Sequence, residues 1–216
     1  MNVLIETQFL PSLEFFCVIA NTDEVQVEHF EHFVKQSYRN HTFINTANGI
    51  EKLTVPLTSK GNRTLIKDVK IDQTQQWKNN QWRTIESAYR NSPFYEHYAG
   101  DLNKVLFQNH LHLVDLNMAL LTLCLKWLRW PKKLAATKSY QTSSEQFVDM
   151  RNVLLSKKPY NTRNFYNPVA YTQVFGNAFV ENLSIADLIF CKGPEAGGIL
   201  SAASMNHSNY GNVRTA

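Results

Sequence analysis

The sequence predicts an α/β fold: a mixed sheet with an N-terminal βαβ unit and a β-hairpin, packed against a mainly helical middle and C-terminal part. Three observations lead there. Strand-like and helix-like segments alternate near the start of the chain, a hairpin signal follows, and beyond residue 72 the apolar period changes from that of strands to that of helices. A chain of 216 residues has enough material for one compact domain with a sizeable core. That domain is assigned to residues 1–200, and the small, polar stretch 201–216 is expected to be a frayed tail.

The elements follow in order. Residues 2–6, NVLIE, read as a short buried strand. Residues 11–23 read as a helix, because Pro11 suits a helix start and Leu13, Phe16, Cys17 and Ala20 recur at helical spacing. Residues 24–29, EVQVEH, alternate and are β-rich. Strand, helix and strand in this compass suggest a βαβ unit with parallel strands. Residues 41–58 form two β-prone runs around Asn48 and Gly49, which tolerate the positive φ of a tight turn. Residues 65–72 are expected to add a strand. Residues 74–92 read as a helix with Trp77, Trp82, Ile85 and Tyr89 largely on one face. Pro93 opens a second helix, and a third spans 112–129, the most apolar of the set. Residues 132–140 suggest a returning strand. Residues 143–156 suggest a short amphipathic helix, with Ser143 or Ser144 as N-cap and Glu145 or Gln146 near the capping-box position. The polar segment 156–168 reads as a loop. A last helix starts near Ser184, and GPEAGG at 193–198 breaks or restarts it.

Composition narrows the class. The apolar share is 44% and the charged share 19%, ordinary for a soluble globular protein. The net charge of +4 is mild and no Lys/Arg block is dense enough for a nucleic-acid arm, so no nucleic-acid partner is expected. Cys17, Cys124 and Cys191 are far apart in apolar segments, and an odd count without CxxC spacing argues against disulfides and against a Cys-based zinc site. They read as reduced, buried thiols of a cytoplasmic protein. No signal peptide is visible, and the longest apolar run is too short for membrane insertion. Glycine-rich phosphate loops are absent, which argues against a dinucleotide site or a P-loop. His29 and His32, and His110 and His112, lack the further ligands a metal site needs, so no metal site is assigned.

The densest chemistry lies at 28–40, EHFEHFVKQSYRN, between a strand and the hairpin. Two readings stand. In one, the stretch lines a concave site for an anionic or hydroxyl-rich small molecule. In the other, it is a half-buried connection in which Arg39 and Lys35 neutralise Glu28 and Glu31. On the first reading, Glu28 and Glu31 are the candidate catalytic bases. Lys35, Tyr38, Arg39 and Asn40 bind substrate, Arg39 offering a bidentate fork and Lys35 a point charge. Tyr89, Ser92 and Tyr98 come second, with helix packing as their ordinary explanation. Glu195 joins the substrate-binding set from the C-terminal segment, since packing alone calls for neither Asp187 nor Glu195. Burying either carboxylate is costly, so each should be exposed or paired. At least one, with Glu195 favoured, is expected to face Arg39.

EHFEHFVKQSYRN with NGIEKLTVPL, then AYRNSPFYEHY at 88–98, YTQVF at 171–175 and LSIADLIFCKGPEAGGIL at 183–200, together resemble the WbqC-like protein family in its short Bacteroidetes-type form. Many members carry His-Gln-Pro after the first strand, where this chain reads Glu6, Thr7, Gln8, so a role for that histidine does not carry over. The resemblance implies a bacterial, cytoplasmic enzyme of surface-polysaccharide (O-antigen) or amino-sugar metabolism, an acyl or aminoacyl (glycyl) transferase acting on an amino sugar. A non-catalytic binding protein for a sugar nucleotide or small anion is the alternative, and a structural partner in a polysaccharide-biosynthesis complex the second. The expected partner is a small molecule, anionic or sugar-like. The residues specify no cofactor, donor, acceptor or oligomeric state.

Overall fold

A computed structural model describes residues 2–58, 63–142 and 146–205. In chain order the elements are β1 (Asn2–Glu6), α1 (Leu13–Ile19), β2 (Glu24–Glu28), β3 (His41–Thr46), β4 (Gly49–Thr54), α2 (Trp77–Tyr89), α3 (Tyr95–Phe107), α4 (Leu113–Leu128), β5 (Lys133–Ala136), β6 (Phe147–Asp149), α5 (Ile185–Lys192) and α6 (Ala196–Ala203).

The α/β class, the βαβ unit and the hairpin are all present. β1 and β2 run parallel across α1, in the register Val3 to Val25, Ile5 to Val27 and Glu6 to Glu28. β5 adds beside β2 and β6 beside β1, both parallel, so the four-stranded sheet has the order β5-β2-β1-β6. The strands divide between two sheets: among the described residues, β3 and β4 form a separate two-stranded antiparallel sheet. In their turn only Gly49 takes a positive φ, at 97°, while Asn48 does not.

Burial explains the layers. β1 is a near-continuous buried run, whereas β2 alternates buried valines with half-buried Glu24 and Gln26; Val3, Ile5, Val25 and Val27 are fully buried. α1 is short but buried throughout, capped by Ser12, whose hydroxyl accepts the Phe15 N–H. It ends at Ile19, earlier than the expected residue 23. α4 buries eleven of its sixteen residues, a smaller share than α1, with all seven buried, or α5, with seven of eight, so the most apolar of the three middle helices is not the deepest helix; it ends on Arg129 in the left-handed conformation.

Three expectations need correcting. Residues 65–72 are not a strand. They make a 3-10 turn over Ile66–Asp68 and then isolated bridges from Lys70 to His112 and from Ile71 to Leu57. The alternation is genuine, with Val69 and Ile71 buried, but no neighbouring strand runs alongside to form a ladder. Of the expected helix over 143–156, the described residues 146–156 are not helical. Phe147–Asp149 pair with Asn2–Leu4 as β6, and the chain then turns so that Met150 and Leu154 enter the core. The i, i+3 and i+7 apolar spacing that suggested a helix is met by that turn instead. The proposed caps at Ser143, Ser144 and Glu145 lie outside the described residues. At the C-terminus, α6 continues through Ser201 to Ala203, whereas residues 206–216 lie outside the described residues.

Candidate functional site

All four parallel strands end on the same side, and polar groups gather there. Glu6 closes β1 and Glu28 closes β2, paired side by side in the register. Thr137 follows β5, and Asp149, Arg151 and Asn152 close and follow β6. The strand order turns back between β1 and β6, the place where open α/β sheets bind ligands.

Glu6 and Arg39 sit at the centre, each 1% exposed. The Arg39 Nε and Nη2 donate to the two Glu31 oxygens at 2.8 and 2.7 Å, and Nη2 also donates to Asn152 Oδ1 at 2.9 Å. The Arg39 carbonyl accepts from Asn117 on α4, so the whole residue is fixed. Burial opposes the guanidinium charge, but the Glu31 hydrogen bonds and the Glu6 and Glu31 carboxylates outweigh it and hold Arg39 protonated. Glu6 Oε2 accepts the Asn152 N–H at 2.9 Å, and Gln8 Nε2 reaches Glu6 Oε1 at 3.4 Å. Burial pushes the Glu6 carboxyl above the usual glutamate range; Arg39 pulls it back and Glu31 pushes it further up. Asn152 closes over both residues in a left-handed conformation, φ 59°, uncommon for anything but glycine.

Glu28 anchors a second half. It is fully buried, and it accepts from the Phe30 N–H at 2.8 Å, Thr137 Oγ1 at 2.7 Å and Arg151 Nη1 at 2.8 Å. Arg151 also forks onto Asp149 and lies over the Tyr140 ring, 4.6 Å from its centroid. Hydrogen bonding to Asp149 holds Arg151 charged against the effect of its burial. The adjacency of Arg151 and Asn152 joins the two halves. Asp149, with its side chain 46% exposed, brings the cluster to the surface.

The sequence-derived candidates separate accordingly. Glu28, Glu31 and Arg39 belong to this cluster. Lys35 is exposed and makes no ion pair among the described residues. Tyr38 is buried against His41 and Phe43, and its hydroxyl is pushed up to about 12 by burial and then by Glu14. Asn40 donates to the Val55 carbonyl at the hairpin. Glu195 is exposed and lies 3.9 Å from Lys192. None of these four shares a hydrogen bond with Arg39. Asp187 is paired, as a buried carboxylate must be, but not with Arg39: it accepts from Tyr89 at 2.9 Å, Tyr171 at 2.6 Å and Gln173 at 2.9 Å. Tyr89 therefore serves that centre. Ser92 bonds back to the Tyr89 carbonyl, and Tyr98 packs on Trp127. Sequence reasoning missed Glu6, Gln8, Thr137, Asp149, Arg151 and Asn152. The one available signal was Glu6 itself, a carboxylate ending an apolar strand.

The WbqC-like protein family model matches residues 7–168, three quarters of the chain. The chain belongs to the WbqC-like protein family. The match covers β2, the hairpin, Arg39 and the turn at Asn152, and begins one residue after Glu6. This WbqC-like protein is also similar to the uncharacterized protein Rv1507c of Mycobacterium tuberculosis (strain ATCC 25618 / H37Rv), 25% identical over 219 residues, covering 89% of this chain and 94% of that one. No solved structure matches. Among the described residues no helix is long and apolar enough to cross a membrane. No group of three or more His, Cys, Asp or Glu side chains there could hold a metal ion.

Proposed function

We propose that this WbqC-like protein is a cytoplasmic enzyme of surface-polysaccharide or amino-sugar metabolism, transferring an acyl or aminoacyl group to the amine of an amino sugar. The observation that supports this reading is the cluster at the carboxyl ends of the parallel strands, where Glu6, Glu28, Glu31 and Asp149 meet Arg39 and Arg151 beside the turn in strand order. In such a transfer the amine attacks an activated acyl carbon. The C–N bond forms, the bond to the leaving group breaks, and a carboxylate takes the proton the amine gives up. The arginines hold the neighbouring carboxylates in fixed orientation.

One observation favours the alternative of a non-catalytic binding protein. Arg39 is engaged with Glu31, and Glu28 already accepts three hydrogen bonds, so neither carboxylate is free to accept a proton without losing a partner. The two readings part in one experiment. Calorimetry with nucleotide-linked amino sugars measures binding, and mass spectrometry of the same mixtures with activated acyl donors measures transfer. An enzyme gives an acylated sugar, and Glu28→Gln lowers turnover with little change in affinity. Saturable binding with no product under any donor would establish the binding protein instead.

A further inference from the structure

We infer that Glu6 and Gln8 form the seat for a primary ammonium group, making Glu6 the carboxylate that receives the amine. The inference rests on reading the carboxyl end of the sheet as a small-molecule site, and it names the chemical class of ligand and the residues that meet it.

Two independent observations carry it. The first is the uneven satisfaction of the three buried glutamates of this cluster. Glu28 has three short donors and Glu31 has the Arg39 fork. Glu6 has backbone donors only, the Asn152 N–H at 2.9 Å and its own N–H, with a long side-chain contact from Gln8 at 3.4 Å. Of the three, Glu6 is the one that accepts no guanidinium hydrogen bond, and since each carboxylate oxygen can accept more than one hydrogen bond it keeps open acceptor capacity. The cluster as a whole is short of positive charge, with four carboxylates to two guanidiniums.

The second is Gln8. Its side chain is 2% exposed, and its Oε1 has no hydrogen-bond partner although it is shut off from solvent. A buried amide oxygen without a donor is costly and uncommon. Turning the amide over does not relieve it. That would set the Gln8 oxygen against the Glu6 oxygen. The same amide that touches Glu6 therefore carries a vacant acceptor, and a carboxylate with a neighbouring amide oxygen suits a donor-only cation. An ammonium supplies three N–H donors and a positive charge, and neither a phosphate nor a neutral hydroxyl supplies both.

Primary ammonium groups come from amino sugars and from amino acids, and the test separates them. Wild-type protein is titrated with glucosamine and N-acetylglucosamine, and with glycine and N-acetylglycine, by calorimetry. Each pair differs in the charge on nitrogen. The expected result is that one amine binds at least about tenfold more tightly than its N-acetyl partner, the scale of one charge-assisted hydrogen bond. That preference should vanish in Glu6→Gln and weaken in Gln8→Leu, but persist in Lys35→Ala. Whichever pair shows it identifies the source of the amine. If a probe binds but charged and acetylated forms bind alike, the ammonium seat is overturned while the small-molecule site stands. An amine preference untouched by Glu6→Gln and Gln8→Leu, in variants whose near-ultraviolet dichroism matches wild type, also overturns it. If none of the four probes binds saturably, the seat and the functional reading fall together.

Discussion

Arg39 grips Glu31 through two parallel N–H···O bonds, and both side chains are almost wholly buried, at 1% and 6% exposure. Eight residues separate them, so the pair also pins the connection between β2 and the hairpin. Removing one partner of such a pair leaves the other charge buried and uncompensated. Glu31→Ala should therefore destabilise the protein by about 3–5 kcal/mol, read as a lower urea midpoint. Replacing both residues by apolar ones of similar volume should cost much less than Glu31→Ala alone. An equal loss in the double variant would mean that the connection is held by something else.

Glu6 gives the pH dependence a sign. Its folded carboxyl binds its proton more tightly than the unfolded chain does, because burial and then Glu31 outweigh Arg39. Ionising it therefore costs stability. The cost is absent well below the ordinary value of 4.5 and develops as pH rises through the raised one. Glu6→Gln removes it. At about pH 7 the variant should melt higher than wild type, by about 2–4 °C for each kcal/mol recovered, and the difference should close at about pH 4. A variant that melts lower than wild type at neutral pH would show that the carboxylate's attraction to Arg39 dominates.

Arg163 fastens the loop between β6 and α5. Its Nε and Nη2 donate to the two oxygens of Glu14, fully buried on α1, at 2.8 and 2.7 Å. The loop thus packs against the same helix that links β1 to β2. Arg163→Ala strands a buried carboxylate, with an expected loss of about 3–5 kcal/mol. The loss should come with faster proteolytic cleavage within 156–168. Unchanged proteolysis would place the anchor of the loop elsewhere.

Lys35 and Glu195 provide the contrast. Lys35 is exposed, and Glu195 has only a distant, solvated contact with Lys192. Substituting either by Ala should alter stability by no more than about 0.5 kcal/mol, measured by denaturant titration. A larger change would reveal a contact that the folded monomer does not account for.

The sequence made most of the architecture legible. The apolar run NVLI and the alternating EVQV, with a helix of matched period between them, carried the βαβ unit, and Gly49 carried the hairpin turn. It failed at 65–72 and at 143–156. Both have the right local period for the predicted element, but pairing decides between a strand and a turn, and pairing is not local. Of the candidate site, Glu28, Glu31 and Arg39 could be picked out because they fall in one dense polar stretch. Lys35, Tyr38 and Asn40 share that stretch, yet their side chains leave it in other directions.

By itself the sequence determined the fold class, the central βαβ unit, the family and the three charged residues that enter the cluster. The tertiary structure alone decided what surrounds them. Glu6 meets Asn152 across 146 positions of chain, and Glu28 meets Arg151 across 123. Those meetings exist because β1, the first strand, pairs on one edge with β2 and on the other with β6, which brings distant strand ends to one side of the sheet. Local propensity encodes a strand and its polar terminus. Which strand ends become neighbours is fixed only when the apolar faces are buried together and every buried charge has found its partner.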